Sequence, residues 1–173
     1  MYSFRIATEH DIEVIVALVE SAYRGNASRA GWTTEADLLD GQRTDAEEVS
    51  RLIKADDSCI LLCQQDSKIV ASVHLLNKHS YGYLGMFAVT PAEQGKGIGK
   101  LLLAEAEKLI CNKWHCPLLH MTVISLRKDL IAWYERRGYK SSGHFLPFPY
   151  GDERYGLPKR DDLKLIVLEK SLY

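Results

Sequence analysis

Two periods of apolar residues alternate along the chain and predict its helices and strands. Helical spacing predicts helices that open near Thr8, Thr44, Gly95 and Arg127. Shorter apolar runs bounded by glycine, proline or polar residues predict strands. These runs are Ser3–Ala7, Cys59–Gln65, Ile69–Leu76, Tyr81–Val89, Leu118–Ile124, Tyr139–Leu146 and Leu163–Glu169. The early strands follow one another and the later ones alternate with helices, so we expect a mixed sheet with helices on both faces.

The segments between these elements carry predictions of their own. Two glycines and several polar residues predict a loop over Arg24–Thr33, and Thr34–Asp40 is predicted as a short helix. Asp66-Ser67 is the predicted turn of a β-hairpin. The chain has no repeat and no linker, so a single domain over residues 1–173 is expected. In the helix over Gly95–Ile110, the predicted inward residues are Ile98, Leu101, Leu102, Ala106 and Leu109.

Composition narrows the class of protein. The 173 residues are 46% hydrophobic and 26% charged, and 22 Lys and Arg against 23 Asp and Glu give a net charge of −1. That balance disfavours a nucleic-acid coat and an electrostatic membrane anchor. No apolar run reaches the roughly 18 residues of a membrane helix, and the start has no secretory pattern, so a cytoplasmic location is expected.

The four cysteines show no Cys-x-x-Cys pair, and no histidine pair has the i, i+4 spacing of a helical metal site. We therefore expect buried free thiols and no bound metal.

The segment with the clearest chemistry runs from Gln94 to Lys100, where a predicted strand passes through a glycine-rich loop into a helix. Three alternate glycines there leave backbone N–H groups uncovered at the positive end of the helix, which predicts a phosphate site. The Walker A spacing is absent. A dinucleotide fingerprint also fails, because Lys100 stands where its third glycine would be.

What does fit is the pattern Gln/Arg-x-x-Gly-x-Gly/Ala, met by Gln94, Gly97 and Gly99. About 35 residues later, the aromatic helix Leu130–Tyr139 ends with Tyr-Glu-x-x-Gly-Tyr. Together these segments resemble the GNAT superfamily of N-acetyltransferases. The resemblance implies a mixed, mostly antiparallel sheet with a central pair of splayed parallel strands. It also implies acetyl-CoA as cosubstrate, an amine as acceptor, and direct attack of the amine on the thioester.

The resemblance also implies roles for individual residues. Tyr134 would donate a proton to the departing thiolate. Many relatives carry asparagine where this chain has Arg127, and the arginine would instead reach a phosphate of the cofactor. The other cofactor contacts implied are the pantetheine-binding backbone of Phe87, Ala88 and Val89, and the pyrophosphate-binding loop of Gln94, Gly95, Lys96, Gly97, Ile98, Gly99 and Lys100.

The sequence does not single out the group that would deprotonate the acceptor amine. A lysine-like amine has a pKa of about 10.4, so its deprotonation at pH 7 costs roughly 4.6 kcal/mol and calls for a base, a water chain or an amine of lower pKa. Glu35 is one candidate base, against a solvated carboxylate at a helix start. His120 is another, against a hydrogen-bonded core histidine.

Charge is uneven along the chain. Residues 35–57 hold eight Asp and Glu against three Lys and Arg, and residues 127–140 hold five Lys and Arg against two Asp and Glu. We expect the acidic part to face an amine and the basic part to face the anionic cofactor, against two solvated helix faces. The long loop Gly143–Asp162 is expected to form a wall of the acceptor site.

Three functional interpretations stay open. The first is an N-acetyltransferase for a small-molecule or peptide amine. The second is a GNAT-like module that senses acyl-CoA without catalysis. The third is a dinucleotide-binding domain, which the broken glycine spacing disfavours. Because dimers are common in the superfamily, the resemblance allows a homodimer.

Overall fold

A computed structural model describes all 173 residues. The long strands and helices follow one another in the order that the apolar pattern predicts. The strands are β1 (Tyr2–Ile6), β2 (Leu39–Asp40), β3 (Ser58–Gln65), β4 (Lys68–Asn77), β5 (Gly82–Val89), β6 (Leu118–Ile124), β7 (Lys140–Pro147), β8 (Leu157–Pro158) and β9 (Lys164–Ser171). The α-helices are α1 (Ile12–Tyr23), α2 (Gly25–Ser28), α3 (Ala46–Lys54), α4 (Ile98–Trp114) and α5 (Lys128–Glu135). Three short elements, α2, β2 and β8, are additional to the predicted ones.

Seven strands form one sheet in the order β1-β3-β4-β5-β6-β9-β7, and β2 pairs separately with β8. Every neighbouring pair in the sheet is antiparallel except β5 and β6, which are parallel. The predicted fold class, a mixed and mostly antiparallel sheet with a central parallel pair, is therefore confirmed.

The parallel pair separates soon after it begins. Only Gly82 and Tyr83 of β5 pair with β6, opposite Leu119 and His120. On its other edge β5 carries a bulge, where its pairing with β4 shifts. Met86 lies in that bulge with a φ of 45°, a left-handed conformation that few non-glycine residues adopt. The rest of β5 therefore leaves a gap towards β6 that the sheet itself does not fill.

Helices cover the two faces of the sheet and bury separate apolar clusters. The alternation along β3 shows this directly, since Leu61 packs into a cluster with α4 whereas Leu62 packs into a cluster with α1 and α3. Both leucines are almost fully buried, as expected for a central strand with a helix on each side. Cys59, Cys63 and Cys116 lie in the α4 cluster as free thiols, in agreement with the sequence prediction.

Three local predictions are wrong. Leu101 of α4 is 43% exposed, and Leu103 packs inward instead. The buried face of the helix runs through Leu102, Leu103 and Ala106, so Leu101 lies outside it. The predicted loop after Arg24 contains the short helix α2. Residues 34–40 are turns and the strand β2, not a helix, because β2 is held by pairing with β8.

No helix of the chain combines the length and the hydropathy needed to cross a membrane.

Candidate active site

Two cavities meet in the gap between β5 and β6. The larger, of about 370 Å³, lies beside the glycine-rich segment, and we call it the loop cavity. The smaller, of about 170 Å³, lies against Arg24, Arg43 and Arg127, and we call it the arginine cavity. The residues that line both are Tyr23, Phe87, Arg127, Leu130 and Tyr134. The two cavities are therefore neighbours that share five lining residues.

The loop cavity is closed on one side by the start of α4. Gly95 and Gly97 have φ values of 81° and 85°, which a residue with a side chain rarely adopts. No atom lies within 4 Å of the place where a Cβ would stand on either glycine. Gly97 caps the helix without a side-chain hydrogen bond, so the first N–H groups of α4 have no partner in the protein. This donor set, at the positive end of a helix, fits a diphosphate.

Gln94 holds the loop in this conformation. Its Nε2 donates to the carbonyl of Val89 at 3.1 Å, and its Oε1 accepts from the N–H of Trp32 at 2.9 Å. A Cβ on Gly31 would stand 2.2 Å from Oε1, so the glycine makes room for this bridge. The amide of Gln94 is thus engaged inside the chain, and the donors left in the loop cavity are backbone N–H groups, Lys100 and arginine side chains.

Other predicted cofactor residues differ in their positions. Lys96 pairs with Glu93 at 3.0 Å and does not line the loop cavity. The carbonyl of Phe87 accepts from the hydroxyl of Tyr23 at 3.0 Å. Ala88 and Ile98 are buried in the core. The carbonyls of Phe87 and Val89 thus each accept one side-chain hydrogen bond from within the chain.

Tyr134 stands where the two cavities meet. Its ring, on α5, packs edge-on against Phe87, Trp133 and Tyr139, with centroid distances of 6.4, 5.0 and 5.6 Å. The hydroxyl has no hydrogen-bond partner within the chain, and the residue lines both cavities. Burial raises the pKa of Tyr134 well above its ordinary value, so the hydroxyl stays protonated at neutral pH.

A single carboxylate sits among the arginines of the second cavity. Glu35 accepts from Arg24 Nη1 at 2.6 Å and from Arg127 Nη1 at 3.0 Å. Arg127 also donates to the hydroxyl of Thr33 at 2.7 Å. Burial acts to raise the pKa of Glu35, but the charges of Arg127 and Arg24 outweigh it and lower the pKa. The carboxylate is therefore ionised at neutral pH.

The structure brings some of the predicted residues together and leaves one out. Tyr134, Glu35 and Arg127 all border the arginine cavity. His120 borders neither cavity. Its ring stacks on Tyr81 with a centroid distance of 4.2 Å, and its Nε2 lies 3.4 Å from Glu169 Oε2 without hydrogen-bond geometry.

The expectation that the acidic part of residues 35–57 faces an acceptor is wrong. Of its eight acids only Glu35 lines the arginine cavity. The others serve locally or face solvent. Asp45, for example, caps α3 by accepting from the N–H of Glu48 at 2.8 Å, and α3 turns its buried Val49 towards the sheet.

The long loop after Gly143, which was predicted to form a wall of the acceptor site, lines the arginine cavity. Phe148, Pro149 and Tyr155 line the arginine cavity, and the carbonyl of Tyr155 accepts from Arg24 Nη2 at 3.3 Å. Gly156 lies so close that a Cβ there would stand 2.9 Å from the carbonyl of Asp40 and 3.0 Å from Arg24 Nη2.

Sequence reasoning missed several arginines. Arg136 and Arg137 line the loop cavity. Arg137 lies over the ring of Trp133, 3.6 Å from its centroid, and donates to the carbonyl of that residue at 2.7 Å. Its Nε is buried without a partner. The paired arginines before Gly138 were the available signal. Arg43 gave none, because it is a single residue in a separate loop.

Comparison with known proteins agrees with this geometry. The family model of the acetyltransferase (GNAT) family matches residues 29–139. S-(2-succino)cysteine N-acetyltransferase of Bacillus subtilis (strain 168) is 28% identical over 148 residues, which are 81% of this chain and 85% of the relative.

Solved structures share the fold at low identity. The ribosomal-protein-S18-alanine N-acetyltransferase from Escherichia coli has a TM-score of 0.74 and is 14% identical, over 99% of this chain and 94% of that one. The yncA protein from Salmonella typhimurium, solved with its cofactor acetyl-CoA, has a TM-score of 0.71 and is 15% identical, over 99% and 94%. The family model covers most of the chain, including both cavities' central residues from Phe87 to Tyr134, and the chain therefore belongs to the GNAT family of acetyltransferases.

Proposed function

We propose that the protein transfers the acetyl group of acetyl-CoA to a primary amine by direct attack, with both substrates bound at once. The observation that carries this proposal is that Tyr134, whose hydroxyl has no hydrogen-bond partner in the chain, lines both cavities. The loop cavity suits the diphosphate and the extended arm of acetyl-CoA. The arginine cavity suits the acceptor.

The loop cavity would hold acetyl-CoA largely through main-chain groups. The uncapped N–H groups at the start of α4 would bind the diphosphate, and Lys100 and the two arginines after Trp133 would add positive charge. N–H groups of the splayed part of β5 would pair with the amide-bearing arm as a neighbouring strand would. When bound, acetyl-CoA supplies an activated thioester carbonyl.

Tyr134 would supply the proton that the departing thiolate takes up. A free thiol has a pKa of about 8.5 and an exposed tyrosine one of about 10. Burial raises the pKa of Tyr134, and the same dry surroundings would also raise the pKa of a thiol held there. Since Tyr134 has no competing partner in the chain, its hydroxyl is free to point at the sulfur.

Glu35 is poorly suited to remove the proton of the amine. A carboxylate that two arginines hold ionised, with a lowered pKa, has little tendency to accept a proton. We assign Glu35 instead to positioning Arg24 and Arg127. His120 borders neither cavity, so it could reach an amine only through water. An acceptor amine of low pKa would therefore react most readily.

A catalytic protein and a sensor of acyl-CoA are separated by two measurements. Calorimetry with acetyl-CoA, ATP and NAD tests the cofactor, and binding of acetyl-CoA alone is expected. Release of free thiol is then followed across primary amines, including S-(2-succino)cysteine, the acceptor in the name of the Bacillus relative. Binding of acetyl-CoA without amine-dependent thiol release would identify a sensor and overturn the proposed transfer.

A further inference from the structure

The arginine cavity has an excess of positive charge. Three guanidinium groups line it, those of Arg24, Arg43 and Arg127, and Glu35 is the single acidic side chain among them. Tyrosine hydroxyls and apolar side chains make up most of the remaining wall. A cavity with this balance repels a polyamine and attracts an anion.

Two of these arginines already share the carboxylate of Glu35. Arg24 and Arg127 each donate one hydrogen bond from Nη1 to this carboxylate, with N···O distances of 2.6 and 3.0 Å. The Nε atoms of both arginines are buried and have no hydrogen-bond partner. Arg24 as a whole is only 6% exposed. Buried guanidinium donors are normally satisfied, so this pair retains capacity for a further acceptor atom.

Arg43 has no anionic partner at all. Its guanidinium forms no ion pair within 4.0 Å, and it lies 5.2 Å from the ring centroid of Tyr23. Its backbone is fixed, because Glu20 Oε1 accepts from the N–H groups of Arg43 and Thr44 at 2.7 and 2.8 Å. A half-buried arginine that is held in place without a counter-ion is prepared to bind one.

Acids do lie on the outer side of Arg43, but they are occupied elsewhere. Asp45 caps α3 and also accepts from Gln42. Glu48 accepts from the hydroxyl of Thr44 at 2.6 Å. Glu47 completes this outer group without approaching Arg43 to ion-pair distance. The inner side of Arg43 therefore remains the side open to a ligand.

The position of Arg43 identifies which substrate it would meet. Arg43 lines the arginine cavity and not the loop cavity, whereas Tyr23, against which it packs, lines both. An anion on Arg43 would thus belong to the acceptor and not to acetyl-CoA.

We infer that the acceptor is a primary amine that also carries a carboxylate, and that Arg43 binds this carboxylate while Arg24 and Arg127 add positive charge. This inference rests on the proposed function and names its acceptor class. A guanidinium binds a carboxylate through two parallel N–H···O bonds, and such charge-assisted bonds give both affinity and orientation. The carboxylate, once bound, would orient the amine of the same molecule towards Tyr134, which lines both cavities.

Matched acceptor pairs test this inference. Thiol release is measured with L-glutamate against L-glutamine, with L-alanine against L-alaninamide, and with spermidine. At least one carboxylate-bearing member is expected to have a kcat/KM about tenfold to hundredfold above that of its amide, because the amide loses the charge-assisted bonds. Equal values within both pairs, or a preference for spermidine, would overturn the inference while leaving acetyl transfer intact.

The variant Arg43→Gln assigns the preference to one side chain. It is expected to raise KM for the preferred carboxylate acceptor about tenfold or more, to leave its amide nearly unchanged, and to leave the KM of acetyl-CoA unchanged. Arg51→Gln is the matched control, since it removes a neighbouring positive charge that lies outside the arginine cavity. Equal effects of Arg43→Gln on both members of a pair would contradict the assignment.

Binding measurements keep the two proposals separable if none of these amines reacts. Calorimetry then compares N-acetyl-L-glutamate with its diamide, which has neither carboxylate, on protein saturated with CoA. Tighter binding of the dicarboxylate, lost in Arg43→Gln, supports the inference, and equal or absent binding overturns it. Failure of CoA itself to bind would instead overturn the proposed function, and succinate binding to the free protein would then decide whether the arginine cavity takes carboxylates.

Discussion

The two cavities that meet at Tyr134 are built from different parts of the chain. The loop cavity takes its donors from consecutive backbone groups at the start of α4. The arginine cavity takes its charges from side chains at four distant positions, Arg24, Glu35, Arg43 and Arg127. The backbone of one short segment can thus bind a ligand that every member of a family uses. Dispersed side chains can change the acceptor while that segment stays the same.

The largest expected effect is a loss of stability when the carboxylate of the arginine cavity is removed. Glu35→Gln leaves Arg24 and Arg127 buried with no counter-ion, which costs about 3–5 kcal/mol of unfolding free energy. Chemical denaturation measures this loss. The control is Asp37→Asn, which breaks an exposed pair with Arg29 and is expected to cost about 1 kcal/mol or less.

A different outcome would restore Glu35 as the general base. If Glu35→Gln were as stable as the unmodified protein but lost most of its kcat, the positioning role assigned to Glu35 would be wrong.

The next largest expected effect is on turnover and concerns Tyr134, which lines both cavities. Tyr134→Phe removes the hydroxyl but keeps the ring that packs against Phe87 and Trp133. We expect kcat to fall about 10²-fold, because the thiolate loses its proton donor. The KM of the acceptor and the affinity for acetyl-CoA should hardly change. Unchanged kcat would show that Tyr134 serves only to pack the helix.

The loop cavity could be predicted from the sequence and the arginine cavity could not. The reason is that the first is built from one continuous segment and the second from residues that only the fold brings together. A glycine spacing between a strand and a helix is a local signal, and it correctly located the start of α4 within a few residues. Arg43 gave no such signal, because its importance arises from the fold. Pairing of β2 with β8 and the contact of Glu20 with the backbone of Arg43 bring it beside Tyr23.

The same limit explains where the fold prediction failed. The hairpin of β3 and β4 follows from two apolar runs and the turn Asp66-Ser67, whose φ values of 49° and 68° suit such a turn. Residues 34–40 have no comparable local pattern. Their conformation is set by β8, more than 100 residues away in sequence, so local propensity predicted the wrong element.

The smallest expected effect is a loss of stability at acidic pH that depends on the pKa of His74, a residue near the arginine cavity. His74 of β4 pairs in register with Gly85, which lines that cavity. Burial, aided by the charges of Arg43 and Arg51, lowers the pKa of His74 to about 4. The unfolded chain binds this proton at about pH 6.5. Stability is therefore complete above pH 6.5 and falls as the pH drops towards 4, by about 2 kcal/mol at pH 5.

NMR titration of the His74 ring checks this value directly. Arg43→Gln should raise the pKa of His74, because one of the charges that oppose its protonation is removed. An unchanged pKa of His74 in Arg43→Gln would show that the charge of Arg43 has no such effect.

The central claim is that backbone N–H groups before α4 bind the diphosphate of acetyl-CoA, and calorimetry with two ligands tests it most directly. S-acetylpantetheine carries the same thioester without the diphosphate, and we expect it to bind at least about hundredfold more weakly than acetyl-CoA. Gly97→Val should remove most of that difference, whereas Gly143→Val, also at a positive φ with open space around it, should preserve it. Equal affinity of the two ligands, or no binding of acetyl-CoA at millimolar concentration, would contradict the account.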